Sequence, residues 1–287
     1  SKWWVKYKLL LALPVIAISI LAFSNSNVNV PAANNQRNSQ EKSPLGMVFI
    51  PSGSFTLLRT DGETKKEFQI SIDAFWMKET EVKIYEYNEY LLAIRADSTM
   101  QVYLASLPDD TKAPFKDYFT NPEYRNYPLV GISLKQAQDF CKWKTNRENL
   151  ECLHKGIPGV AAYRIPDELE WVYASFGGIH PNALPKPPKY GIQEIKHSRE
   201  NVFNEYGLLH MFGNVSEWTV TSYDPTGYMS GKFNNSGEYM NDIIVKGENY
   251  KIDLDQDKLV VKGYESYDYI GFRYVRTYLG KQVLTRE

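Results

Sequence analysis

The sequence predicts an α+β domain with few helices, short strands and much irregular loop. Amphipathic helical patterns lie early in the domain, whereas short β-like runs separated by polar turns fill the last third. This segregation favours the α+β class over an alternating α/β class, and no repeat at solenoid periods is present. With 287 residues and 43% hydrophobic content, the chain can bury the core of one sizeable domain.

The N-terminal segment, residues 1–24, has the pattern of a signal peptide or a membrane anchor. Lysines precede an uncharged apolar run from Leu9 to Phe23, which predicts export and an N-terminal hydrophobic helix. Cleavage near Ser24 and retention as an anchor both stay open, because the run is shorter than the ~20 residues that span a bilayer. No cysteine follows the run, which excludes the lipid-modified type of anchor. We expect a periplasmic or envelope-anchored protein that contacts the membrane through residues 3–23 if uncleaved.

A polar tether and a folded domain follow this segment. Residues 25–46 are rich in Asn, Ser, Gln and Pro and contain too little apolar surface to offset the entropy of ordering. We therefore expect the tether to be flexible, the domain to span residues 47–279, and a short tail to occupy 280–287.

Local signals place the elements of the domain. Residues 47–55 predict a strand and turn, and Asp61-Gly62 predicts a hairpin that leads into a strand from Phe68 to Ile72. Apolar spacing predicts a helix over 81–94. Two further helices begin at capping signals, Ser133 with Gln136 and Asp167 with Glu170. Further β-like runs are expected at 242–245, 259–264 and 271–278.

Charge and cysteine content exclude several function classes. The formal net charge is −1 with acids and bases interspersed, so no basic field predicts a nucleic-acid partner. The only two cysteines, Cys141 and Cys152, exclude a disulfide framework and a four-cysteine metal site. Cys141 falls on the apolar side of a predicted helix, which favours a buried free thiol over a bridge to Cys152.

Six motifs in sequence order resemble those of the formylglycine-generating, sulfatase-modifying factor family. The segment 207–218, Gly-Leu-Leu-His-Met-Phe-Gly-Asn-Val-Ser-Glu-Trp, resembles the family signature GLYDMxGNVxEW. The others are residues 47–55 with 81–87, then 127–143, 163–171 and 271–273. The resemblance covers Met47 to Tyr278 and implies a compact C-type-lectin-like α+β fold. Within the family, residues 118–143 look most like the gliding-motility and type IX secretion envelope proteins of Bacteroidetes.

The resemblance also defines which chemistry to look for. Active members oxidise a substrate cysteine with two C-terminal cysteines that bind copper(I), a soft metal that prefers thiolates. Residues 246–274 contain no cysteine, and Tyr274 stands where relatives often carry one after GFR. The family's sulfur-inserting enzymes use iron held by histidines, but the four histidines here are scattered without helical ligand spacing. We therefore expect a pseudoenzyme with no catalytic residues.

Relatives often hold calcium in the signature segment, the single metal site that the resemblance implies here. The corresponding residues are His210, Gly213, Val215 and Glu217. Calcium prefers oxygen ligands, so the imidazole of His210 predicts a weakened or empty site. The alternative is that Asn214, Glu217 and Trp218 connect the loop by hydrogen bonds and packing.

These observations favour a non-catalytic envelope module that binds other proteins, with secretion or gliding machinery as the expected partners. The expected contact surface is aromatic, because exposed aromatic rings favour interfaces, although local packing over the core is an equal alternative. Its residues are Tyr103, Phe115, Tyr118, Phe119 and Tyr124. The alternative functions are a metal-dependent oxidoreductase of the same family and a calcium-dependent ligand binder.

Overall fold

The computed structural model describes residues 43–61, 64–177, 192–194, 204–224, 241–251 and 259–280. The expected signal or anchor segment, the tether up to residue 42 and the tail from residue 281 lie outside these ranges. Within the described ranges, no helix combines the length and the apolar character that crossing a membrane requires.

The described residues form a mixed α+β fold in which ten strands and four α-helices are separated by long loops. The first strands are β1 (Met47–Ile50), β2 (Gly53–Asp61), β3 (Thr64–Ile72) and β4 (Phe75–Lys78). The helices α1 (Ile84–Asp97), α2 (Met100–Ser106), α3 (Leu134–His154) and α4 (Glu168–Phe176) follow, with β5 (Tyr163–Arg164) between the last two. The chain continues with β6 (Ser216–Ser222), β7 (Ile243–Lys246), β8 (Leu259–Val261), β9 (Ile270–Gly271) and β10 (Val275–Thr277).

The first sheet joins the two ends of the domain. Its strand order is β1-β4-β10-β5, and all three pairings are antiparallel. Val275 lies opposite both Met77 and Arg164, and the side chains of Met77 and Val275 are fully buried. The last strand, β10, thus lies between β4 from the beginning of the domain and β5 from its middle.

The hairpin predicted from Asp61-Gly62 is confirmed, and its second strand begins at Thr64 rather than at Phe68. Strands β2 and β3 pair in register from Gly53 opposite Ile72 to Asp61 opposite Thr64. Alternation along β2 turns Phe55, Leu57 and Arg59 to the same face, and all three are buried. The hairpin therefore packs one face against the domain and places the charged side chain of Arg59 in the interior.

The predicted helix starts are confirmed for α3 and α4. The Ser133 hydroxyl accepts from the Gln136 amide while the Gln136 side chain accepts from the Ser133 amide, and Asp167 and Glu170 make the equivalent pair. The first helix begins at Ile84 rather than at Glu81, because Lys83 is extended and forms a bridge to Pro128. The short helix α2 was not predicted.

The third sheet contains the signature segment and corrects one expectation. Its order is β8-β7-β6-β9, and β6 was not predicted as a strand. The run expected at 271–278 is two strands in two sheets: β9 pairs parallel with β6, whereas β10 pairs with β4 and β5. Between them, Arg273 points into the protein rather than continuing the sheet.

Two hydrophobic clusters stabilise the domain. The larger one surrounds Tyr87, Phe140, Trp218 and Phe272, and the smaller one lies beneath the hairpin around Met77. Cys141 and Cys152 are both buried and free, so the expected free thiol is confirmed. Burial raises the pKa of the Cys141 thiol, which makes it an inert core residue rather than a nucleophile.

Candidate functional site

The signature segment forms an irregular loop that leads into β6. Four residues of the segment have a positive φ, namely Gly207 at 88°, His210 at 57°, Gly213 at 152° and Asn214 at 63°. Among non-glycine residues, Asn and His are enriched in the left-handed region that both occupy here. These turns aim the side chains of His210 and Asn214 at the same buried carboxylate.

That carboxylate belongs to Glu81, which is fully buried at the end of the extended segment before α1. His210 Nδ1 lies 3.0 Å from Glu81 Oε2, and Asn214 Nδ2 donates to Glu81 Oε1 at 3.0 Å. Burial alone would raise the pKa of Glu81 and lower that of His210. The attraction between the two groups outweighs burial, so the pKa of Glu81 is lowered and that of His210 is raised.

A second buried ion pair lies beside the first. Arg273 Nε donates to Glu217 Oε2 and Arg273 Nη2 donates to Glu217 Oε1, both at 2.7 Å, and neither side chain is exposed. Trp171 Nε1 also donates to Glu217 Oε2 at 2.7 Å. The remaining guanidinium donors reach the carbonyl oxygens of Lys78, Glu79 and Leu209. Arg273 thereby links β4, the signature loop and β6 through one side chain.

The donor atoms of this loop do not fit calcium. A calcium ion takes six to eight oxygen ligands, but both oxygens of Glu217 accept from Arg273 and its charge is already neutralised. His210 faces Glu81, and the Asn214 side-chain oxygen accepts from the Gln193 amide. Val215 packs in the core. The hydrogen-bonding alternative describes the observed geometry, and within the described ranges no three His, Cys, Asp or Glu side chains are grouped to hold a metal ion.

The expected aromatic contact surface is only partly at the surface. Tyr118 and Phe119 are buried, and the Tyr118 hydroxyl donates inward to the Pro128 carbonyl oxygen at 2.7 Å. Tyr103 and Tyr124 are half-buried against the core. Phe115 remains 41% exposed, with its ring 5.5 Å from that of Tyr124. The expectation that Tyr118 and Phe119 present their rings to a partner is wrong, because packing and the inward hydrogen bond fix them.

The residues that hold the site together were not all identified from the sequence. Glu81 and Arg273 were noted only as parts of longer motifs, and neither was expected to bond to the signature loop. The one sequence signal available was a charged residue inside an apolar motif: Arg273 follows Phe272, and Glu81 precedes Val82, and both neighbours are fully buried. A charge in such a position requires a buried partner.

A third buried ion pair, far from the loop in sequence, was also missed. Arg59 in β2 donates to both oxygens of Glu168 at the start of α4, at 2.8 and 2.6 Å. The Glu168 amide donates to the Thr221 hydroxyl oxygen in β6. This pair fastens the hairpin to the helix and to the sheet that carries the signature segment.

The comparisons with known proteins agree with this fold. The formylglycine-generating enzyme of Mus musculus is 25% identical over an alignment of 247 residues, and the match covers 68% of this chain and 66% of that protein's length. The inactive C-alpha-formylglycine-generating enzyme 2 of Mus musculus is 27% identical over an alignment of 121 residues, and the match covers 35% of this chain and 34% of that protein. The structure of PvdO from Pseudomonas aeruginosa is similar with a TM-score of 0.55 and 17% identity, and covers 80% of this chain and 94% of PvdO.

The family assignment is carried by most of the chain. Residues 32–278 match the sulfatase-modifying factor enzyme 1-like domain, a range that begins inside the expected tether and ends at Tyr278. The likeness to PvdO supports the fold alone, since its identity is low. The signature loop, the GFR arginine and the mixed α+β architecture all fall within the matched range. This chain belongs to the sulfatase-modifying factor enzyme 1-like domain family.

Proposed function

We propose that this chain is a non-catalytic member of its family that acts as a structural or protein-binding module. The observation that carries the proposal is the use of the signature loop's polar groups for internal bonds. His210 and Asn214 bond to Glu81, and Glu217 bonds to Arg273 and Trp171. Since these groups are engaged with one another, the loop stabilises the fold rather than presenting reactive atoms.

The sequence supports the same proposal. Copper(I) chemistry in this family requires two C-terminal cysteines, and residues 246–274 contain none. Tyr274, at the position after GFR, is buried against Tyr163 and Phe140. The similarity to an inactive relative, although limited to 121 residues, is in keeping with a module that has kept the fold without this chemistry.

The cellular setting forms part of the proposal. The apolar run from Leu9 to Phe23 and the polar tether support export and attachment to an envelope membrane. A domain held at the end of a tether can meet membrane-associated partners, and we propose secretion or gliding complexes as those partners. Phe115, with its exposed ring, is the member of the aromatic segment best placed to contribute.

Two assays on the full-length chain test the proposal. In the first, the tagged protein is purified from its native envelope in gentle detergent, and accompanying proteins are identified by mass spectrometry. We expect stoichiometric partners that are reduced by Phe115→Ala and retained by Leu92→Ala, a control at another exposed apolar residue. Recovery of the protein alone would contradict a binding role.

In the second assay, the chain is loaded with copper(I) and offered a cysteine-containing sulfatase peptide and oxygen. The formylglycine-generating enzyme of Mus musculus serves as the positive control. We expect no loss of peptide mass and no oxygen uptake above the background without protein. Turnover by this chain would refute the non-catalytic assignment and establish the oxidoreductase alternative.

A further inference from the structure

A groove with charged walls lies between α3 and the first sheet. Its volume is about 1010 Å³. Polar side chains line the bottom of the groove. They are Lys144 and Glu148 from α3, Tyr163 from β5, Tyr274 just before β10, and Arg276 from β10. No part of the signature loop lines this groove, so it is separate from the site described above.

The glutamates of the groove all have cationic partners. Glu148 accepts from the Tyr163 hydroxyl at 2.5 Å through one oxygen and from Arg276 at 3.2 Å through the other. The other three are Glu86 with Lys78, Glu89 with Arg147, and Glu151 with Arg147 and Lys155. The negative charge of the walls is therefore already compensated.

Lys144 is the exception among the cations. Its ammonium group lies 5.0 Å from the Tyr163 ring centroid and 5.4 Å from the Tyr274 ring centroid. Among the residues that the structure describes, no carboxylate lies within ion-pair distance of it. Burial lowers the pKa of Lys144 more than the nearby charges of Glu148 and Glu86 raise it, so its charge is held at a cost that these carboxylates and the two rings only partly offset. An anion at this position would relieve that cost.

The rim of the groove is aliphatic and exposed. Leu45 is 99% exposed, Ile157 is 52% exposed and Leu279 is 56% exposed, and all three line the groove. An arrangement with one unpaired cation on the floor and apolar side chains around it complements a carboxylate that has aliphatic neighbours. Among the described residues of the groove, one cation lacks an ion pair, whereas a phosphodiester chain carries several negative charges, so a single carboxylate suits the groove better.

We propose that this groove binds an acidic segment of a partner protein, in which aliphatic residues flank one carboxylate and Lys144 is the counter-ion of that carboxylate. The aliphatic neighbours of the carboxylate contact Leu45, Ile157 and Leu279. This inference rests on the proposed function, since it names the chemistry through which a protein-binding module would recognise its partner.

A model peptide tests the groove directly on the full-length chain in detergent. Acetyl-Gly-Leu-Glu-Leu-Gly-amide is titrated by isothermal calorimetry, and the same peptide with Gln for Glu is the matched ligand control. We expect the Glu peptide to bind at least tenfold more tightly, since a charge-assisted bond in a partly desolvated groove is worth about one such factor or more. Equal binding of the two peptides, or no binding at millimolar concentration, would overturn the proposal.

Three variants locate the binding site. Lys144→Met should reduce affinity for the Glu peptide at least tenfold, and Lys144→Arg should retain it within a few-fold. Lys142→Met, at an exposed lysine on the same helix outside this groove, should leave it unchanged. Unfolding curves confirm that each variant is folded. The Gln peptide removes the same ion pair from the ligand side, so it tests the contact without altering the protein. An unchanged affinity in Lys144→Met would refute the role of Lys144.

Sodium octanoate distinguishes a protein segment from a small amphiphile. Binding of octanoate without binding of the Glu peptide would overturn the assignment to a protein partner. The envelope purification separates this inference from the proposed function. Partners that persist in Lys144→Met would refute the groove while leaving the binding module intact, whereas loss of those partners is expected here.

Discussion

Replacement of Glu217 by Gln isolates the contribution of the buried ion pair in the signature loop. Gln retains the size of Glu, and its carbonyl oxygen can accept from Trp171 and from Arg273 Nε, but its amide group would then face the Arg273 Nη2 donor. The guanidinium, which has no solvent exposure, would lose the counter-ion to which it is hydrogen-bonded. Breaking a buried pair in this way costs about 3–5 kcal/mol, a large part of a total stability of roughly 5–15 kcal/mol.

Thermal unfolding followed by circular dichroism measures this effect. For a domain of this size each kcal/mol lowers Tm by about 2–4 °C, so Glu217→Gln should lower Tm by about 6–20 °C. Asp139→Asn, which breaks an exposed pair with Lys135, is the matched control and should change stability by less than about 1 kcal/mol. If Glu217→Gln melted within 2 °C of the wild type, the proposed structural role of the loop would be refuted.

Three further predictions concern other buried or capping groups. Glu168→Gln should cost about 3–5 kcal/mol because it removes the buried negative charge that Arg59 and Lys246 both face, and hydrogen exchange should rise first in β2 and β3; uniform exchange would contradict the role of this carboxylate. Burial alone would lower the pKa of His210, but Glu81 raises it. The stability that protonated His210 contributes is therefore complete below about pH 6.5 and is lost as pH rises through the folded pKa. Denaturation between pH 6 and 9 should show this decline in the wild type and a flatter profile in His210→Asn, and parallel profiles would count against it. Ser133→Ala should cost about 0.5–2 kcal/mol in urea unfolding while Ser133→Thr costs less, and equal losses would exclude the cap as the cause.

Local signals were sufficient where neighbouring residues decide the structure. The caps at Ser133 and Asp167 each depend on a partner three residues away, and the hairpin depends on a turn between adjacent strands. These features follow from backbone geometry and short-range hydrogen bonds, so the sequence predicts them. The starts of α3 and α4 were accordingly found at their observed positions, whereas β4 was not predicted and the run at 47–55 is divided between β1 and β2.

The same approach failed where a distant partner decides the structure. The run at 271–278 looks like one strand, but Arg273 turns inward to meet Glu217 and divides it between two sheets. Tyr118 and Phe119 look like surface aromatics in an irregular segment, but both pack inward. A contact partner far away in sequence is not visible in local composition.

The sequence by itself determined the α+β class, the family through its ordered motifs, and the absence of cysteines where copper(I) would need them. Tertiary structure alone decided what the retained motif residues do. Glu81 and His210 are 129 residues apart and Glu217 and Arg273 are 56 residues apart, and only the fold brings each pair to within hydrogen-bond distance. It likewise placed Lys144 near the rings of Tyr163 in β5 and of Tyr274 just before β10. The physical reason is that the strength of an ion pair depends on the distance between its charges and on their burial, and both are properties of the folded chain.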